Sequence, residues 1–275
     1  MVDLVRTLGM VDLCVYRVCL SGQCDFAGAL DALQQHGITR TALWMPMIEA
    51  YGQEAALRLW NQSGMIAESL CAAPLFAGGP AIEAMLAQAD LFGARTLVMI
   101  TGGFDLLDGD IDLARANLVP LLIEAAALAK SYKCQLAFEP LHPMVCGSRS
   151  IVSSLGEALD VLDAVAERDA AHNIGLAIDA YALWWEHDMR AKLRRAGSRI
   201  VNYHVSDYLA DTNDLRLDRG MPGDGQINLI EWRRMIEKAG YSGPVEVEIF
   251  SANRWWKQPP ESMLRHITNA MNVHF

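Results

Sequence analysis

The chain has 275 residues, 52% hydrophobic and 20% charged, which is enough apolar material for a large core and too much for disorder. A formal net charge of −10 with no basic cluster argues against a nucleic-acid partner. No run of about 18 uncharged apolar residues offers a membrane span.

The opening residues, MVDLVRTLGMVDL, place acids among the apolar residues and lack a basic start followed by an apolar stretch. No signal peptide is expected, and a cytoplasmic location follows as an expectation. VDLCVYRVC (11–19) reads as the first strand and DFAGALDALQQHG as the helix after it, with Asp25 as N-cap and Gly37 as stop. The pattern repeats with strands at 39–45, 66–72, 96–101, 135–139, 174–179, 200–206 and 245–250. The helix-like stretches between and after them run over 52–64, 81–93, 113–132, 154–168, 187–197, 228–240 and 259–272. Cys14, Cys19, Cys24, Cys71, Cys134 and Cys146 sit mostly in apolar runs without a C-x-x-C pair, so reduced, small apolar thiols are expected.

Eight strands alternating with eight helices, at about 34 residues per unit, predict an α/β fold: a single (β/α)8 TIM barrel over residues 1–275. An open doubly wound sheet shares the alternation. It usually shows a glycine-rich phosphate turn after its first strand, and LSGQCDF is not one.

Barrel enzymes carry their chemistry at the C-terminal ends of the strands. The fifth strand ends at Glu139, the sixth at Asp179, and the seventh reaches His204. Glu246 and Glu248 share one face of the eighth by period-two alternation. Taken singly, an acid at a strand end is more often a helix cap or ion-pair partner. Four candidates at the same end of successive strands suit one divalent ion, such as Mn2+, Co2+ or Mg2+, better than a structural zinc. Such an ion would act as a Lewis acid and stabilise an enediolate.

The stretches AFEPLHPM, DAYALWWEHD, YHVSDYL, DRGMPGDGQINL and GPVEVEIFS, with ITGGFDLLDGD and ALWM, resemble the sugar phosphate isomerase/epimerase proteins of the xylose isomerase-like TIM barrel family. The resemblance implies metal ligands at Glu139, Asp179, His204 and Glu248, with Mn2+ first among Co2+, Mg2+ and Zn2+. It also implies that Glu139 and Glu248 act as the acid/base pair. Arg219 in LDRGMPGDG is expected over substrate oxygens, and His142 in EPLHP toward a substrate hydroxyl. Trp44 and Trp184 are candidates for an aromatic wall beside a sugar, and Glu246 for a further substrate contact. Many relatives read Asp-x-x-His after the sixth strand, whereas this sequence reads Asp179-Ala-Tyr-Ala182.

The function expected is a divalent-metal-dependent isomerase or epimerase of a keto sugar or related polyol or keto acid. A dehydratase on a cyclic keto-polyol and a non-catalytic sugar-binding barrel are the alternatives. Seven histidines and the acidic balance speak against an endonuclease-like use of the barrel. The partners expected are a sugar-like small molecule, with no nucleic acid and no membrane. The resemblance also extends the homo-oligomers common among similar proteins to this chain.

Overall fold

The computed structural model describes residues 12–103, 109–170 and 172–275. The reading of residues 1–11, and of residues 104–108 within ITGGFDLLDGD, lies outside them. Eight parallel strands pair in sequence order, and the eighth returns to the first, so the sheet closes into a barrel. The first four strands are β1 (Leu13–Tyr16), β2 (Arg40–Trp44), β3 (Ile66–Pro74) and β4 (Thr96–Ile100). The others are β5 (Gln135–Phe138), β6 (Ile174–Asp179), β7 (Ile200–Val205) and β8 (Val245–Val247).

The crossovers include α1 (Phe26–Gln35), where Asp25 caps the N-terminus by accepting from Gly28 N at 2.9 Å. Gly37 follows its last turn at φ 68°, a left-handed conformation that glycine adopts without a Cβ clash. Next come α2 (Met45–Tyr51), α3 (Gln53–Ser63), α4 (Gly79–Leu91), α5 (Ile111–Ala129) and α6 (Leu155–Arg168). The last four are α7 (Ala180–Leu183), α8 (Met189–Ala196), α9 (Leu229–Lys238) and α10 (Pro260–His274). The two helices beyond the eight expected, α2 and α7, are short and sit directly on the ends of β2 and β6. Asp179 starts α7 by accepting from Tyr181 N at 2.8 Å. Among the described residues no helix is long and apolar enough to cross a membrane.

The apolar residues divide into two layers. Leu33, Leu43, Leu97, Phe138, Leu176 and Ile267 belong to the main core between strands and helices. A smaller cluster fills the barrel itself: Cys14, Tyr16, Ala42, Cys71, Val98, Ala137 and Ala177. Period-two alternation then fixes what lies above this filling. Ala137 is followed on the same face by Glu139, and Ala177 by Asp179. Asn202 and Glu246 are followed in the same way by His204 and Glu248. The register agrees, because β6 and β7 bring Asp179 beside His204. The small alanines inside β5 and β6 leave the barrel's upper end open for these polar groups.

The expected strand limits shift slightly. β5 stops at Phe138 and β8 at Val247, so Glu139 and Glu248 are the first residues beyond their strands. Their amides still continue the ladder, Glu139 N donating to Met99 O and Glu248 N to Val205 O, each at 2.9 Å.

Candidate active site

Glu139, Asp179, His204 and Glu248 all stand at the C-terminal mouth of the barrel, as two pairs. His204 Nδ1 lies 3.0 Å from Glu139 Oε1. Arg219 Nη1 reaches Glu248 Oε2 at 2.8 Å and Asp179 Oδ2 at 3.2 Å. The Arg219 guanidinium also stacks on Tyr181, 4.4 Å from its ring centroid. Asp179 and His204 are fully buried, whereas Glu139 and Glu248 help to line a cavity of about 310 Å³. That volume is at the small end of the range for ligand sites and suits one sugar-sized molecule.

The electrostatics follow from four acids gathered around two cations. Burial opposes a charge on His204, yet its hydrogen bond to Glu139 and the fields of Glu246, Glu139 and Glu248 raise its pKa to about 10. Burial raises Asp179 above the usual carboxylate range, against the opposing field of Arg219. Burial likewise works against the charge of Arg219, but Asp179 and Glu248 outweigh it and hold the guanidinium protonated.

Arg219 arrives on a loop that Asp207 organises. Asp207 accepts from Tyr208 N and Gly223 N at 2.9 Å and from Ile227 N at 3.0 Å. Gly225 packs so closely that a Cβ there would lie 2.2 Å from Tyr208 O. The PGDG segment of the sequence motif is thus the folding instruction that presents Arg219. Gly225→Ala is expected to lower stability by about 1–3 kcal/mol, the usual effect of overpacking. Thermal unfolding checks it, and an unchanged midpoint would mean the close approach does not constrain the loop.

The remaining expectations fare differently. Trp44 and His142 line the cavity. His142 Nδ1 accepts from Met144 N at 3.2 Å, which leaves the proton on Nε2 as a donor for a substrate oxygen. Burial lowers the pKa of His142, which favours that neutral form. Trp184 is not on the cavity wall. It follows α7, whose turn swings its ring onto Tyr208 at a centroid distance of 4.9 Å, while Ala182 faces the cavity instead. Glu246 lies one layer deeper, inside the barrel and away from the cavity. It accepts from Ser69 Oγ at 2.6 Å and from Asn202 Nδ2, and its Oε2 stands 3.6 Å from His204 Nε2. A substrate contact by Glu246 or Trp184 does not fit these positions. Glu246 supports the His204 ring from below, since a carboxylate behind a histidine fixes its orientation. Arg149 and Arg216 also line the cavity and were not singled out from the sequence. Both lie in irregular loops, where no periodicity points inward.

Among the described residues, no three His, Cys, Asp or Glu side chains stand close enough together to hold a metal ion. Arg219 Nη1 stands between two of the carboxylates. The donor set nevertheless suits a divalent cation in kind: three carboxylates and an imidazole, buried together, with more negative than positive charge. Binding would require Arg219 to release Asp179 and Glu248, and His204 to give up a proton.

Residues 81–268 match the family profile of the xylose isomerase-like TIM barrel. The inosose isomerase of Halalkalibacterium halodurans is 32% identical over 145 residues, covering 50% of this chain and 46% of that protein. The chain thus spans about half the length of the curated relatives it matches. Among solved structures, protein SMc04130 from Sinorhizobium meliloti 1021 superposes with a TM-score of 0.88 at 34% identity, over 97% of this chain and 99% of that one. The IOLI protein with a bound zinc atom gives a TM-score of 0.80 at 19% identity, over 96% and 99% of the two chains.

Proposed function

The chain belongs to the xylose isomerase-like TIM barrel family, and on that premise we propose that it is a sugar isomerase or epimerase that moves a proton beside a carbonyl of a keto sugar or cyclic keto-polyol. The observation that carries this reading is the pairing on the cavity floor. Two carboxylates, Glu139 and Glu248, are accessible to a ligand, and each is backed by its own cationic partner, His204 or Arg219. They follow strands separated by two others in the closed barrel, so they approach a bound molecule from different sides. One would remove the proton as a base and the other return one as an acid, at the same carbon for an epimerase or at the neighbouring carbon for an isomerase. The inosose isomerase relative supports a cyclic keto-polyol among the substrates.

A divalent ion held by Glu139, Asp179, His204 and Glu248, with Mn2+ first in expectation, would supply Lewis-acid polarisation of the carbonyl. The zinc atom bound by the IOLI protein, which shares this fold, supports a divalent ion for this chain. Asp179 and His204, fully buried, would contribute fixed ligands. Trp44 and Phe250 meet edge to face at 6.4 Å on the cavity wall and would stack beside a sugar, and His142 Nε2–H would orient a hydroxyl.

Ala182 on the cavity wall, where many relatives carry a histidine, favours a second reading as a sugar-binding barrel without turnover. Incubation with a panel of ketoses and inososes in D2O, followed by NMR, separates the readings. An isomerase or epimerase puts deuterium on the carbon beside the carbonyl and builds up a second sugar. A dehydratase yields an unsaturated ketone. Ligand-dependent stabilisation with neither exchange nor product would establish the binding barrel.

A further inference from the structure

Arg149 and Arg216 face the same cavity from different loops. Arg149 follows the turn after β5, and its backbone is fixed on both sides. Arg149 N donates to Val145 O at 2.8 Å, and two residues on, Ile151 N donates to Thr101 Oγ1 at 2.8 Å. Arg216 lies in the loop after β7, where Asp214 Oδ1 accepts from Arg216 N at 2.8 Å and from Leu217 N at 3.0 Å. The neighbouring Leu215 O is held by the Tyr181 hydroxyl at 2.9 Å. These backbones are anchored, so both guanidiniums start from fixed points.

Neither guanidinium has a carboxylate or hydrogen-bond partner among the described residues. Arg40, Arg95, Arg190, Arg195, Arg199 and Arg254, by contrast, all find carboxylates; what sets Arg149 and Arg216 apart from the other arginines without one is that they share a cavity wall. Glu49, on the same cavity wall, pairs with neither. Burial lowers the pKa of Arg149, and the like charge of Arg216 lowers it further, while Glu139 and Glu248 act the other way. Arg149 therefore lies within the field of both the catalytic floor and the second arginine. Two like charges on one cavity wall, neither hydrogen-bonded to a carboxylate, repel each other, and an anion between them would relieve the repulsion while using N–H donors that are otherwise idle.

We propose that Arg149 and Arg216 form an anion subsite at the mouth of the cavity, so that the substrate carries a carboxylate or phosphate group at the end remote from its carbonyl. The inference rests on the isomerase reading for what happens at the floor, but binding at the subsite can be measured without turnover. Arg216 is exposed and Arg149 half-buried, whereas Glu139 and Glu248 are buried, which orders the cavity from charged mouth to reacting floor. A neutral sugar would leave both arginines unpaired.

The test uses three polyols that lack a carbonyl and differ in their charge: D-glucitol, D-gluconate and D-glucitol 6-phosphate. Calorimetric titration of the full chain is expected to show at least one anion binding tenfold or more tighter than D-glucitol. Which anion gains identifies the group as carboxylate or phosphate. Arg149→Met/Arg216→Met is expected to reduce that advantage to threefold or less. Arg149→Lys/Arg216→Lys, which keeps the charge, is expected to retain most of it. Equal affinity for all three polyols in the unmodified chain overturns the subsite, as does an anion advantage that survives the methionine variant. If that variant does not fold, the lysine variant and the three-way comparison still decide. An anion advantage together with no exchange in D2O on ketose phosphates, keto sugar acids or the neutral ketoses and inososes would instead retain the subsite and reject the isomerase reading.

Discussion

Glu248→Gln is expected to reduce turnover of the keto substrate by about 10³-fold while leaving the barrel folded, because it removes a proton-transferring group. The substitution keeps the volume of the side chain and lies above the apolar filling of the barrel rather than within it. The amide still has a carbonyl oxygen to accept from Arg219, so the loop carrying the arginine should hold its place. Steady-state kinetics and the thermal midpoint must therefore be measured together. A large loss of kcat with a near-normal midpoint identifies Glu248 as an acid or base. Full activity would remove it from that role, and a collapsed midpoint would show a structural one.

Arg219→Met has its largest expected effect on stability. From the sequence alone, the arginine is a substrate-binding residue whose removal mainly raises KM. In the structure it is also the direct cationic partner of fully buried Asp179 and of Glu248. Removing one member of a buried pair leaves uncompensated charge, at a loss of about 3–5 kcal/mol. The metal-free variant should lose that much in chemical denaturation. Saturating Mn2+ should restore most of it, since the ion would take over the charge that the arginine balances. A variant as stable as the parent without metal would mean that Asp179 is already neutral. One that metal does not rescue would mean that the carboxylates do not share an ion.

Much of this site was legible in the sequence because it follows the simplest periodicity in proteins. Glu139, Asp179, His204 and Glu248 each occupy the inward face one step above a barrel-filling residue, and strand alternation alone places them there. The same rule placed Glu246 on the correct face, but alternation carries no measure of depth. Glu246 is two residues lower and ends inside the barrel with Ser69 and Asn202. Trp184 was misplaced for another reason. The strand period stops at Asp179, and the helical turn of α7 rotates every later side chain, bringing Ala182 to the cavity and carrying Trp184 to Tyr208. Arg149 and Arg216 had no periodic signal at all, and only the folded loops bring them to one wall. The dual attachment of Arg219 was equally hidden, because it depends on a close approach permitted by Gly225.

The pH dependence of the metal-free protein carries a sign that can be checked. His204 has a folded pKa of about 10 against an ordinary 6.5, so its imidazolium contributes stability below about pH 6.5, and that contribution is lost as the pH rises toward 10. Asp179, whose pKa is raised by burial, acts at the acidic end, where ionisation above the ordinary carboxylate range lowers stability. The thermal midpoint of metal-free protein should therefore fall between pH 6.5 and 10. Metal binding over the same range should strengthen, because an imidazole ligand must be neutral.

Whether Glu139, Asp179, His204 and Glu248 form one divalent-ion site is decided by calorimetric titration of metal-free protein with Mn2+. The titration is run at pH 7.5 in two buffers of different ionisation enthalpy. About one ion per chain is expected to bind with release of about one proton from His204, both absent in Glu139→Ala/His204→Ala. Failure to bind Mn2+, Co2+, Mg2+ or Zn2+, or equal binding by the double variant, would contradict such a site.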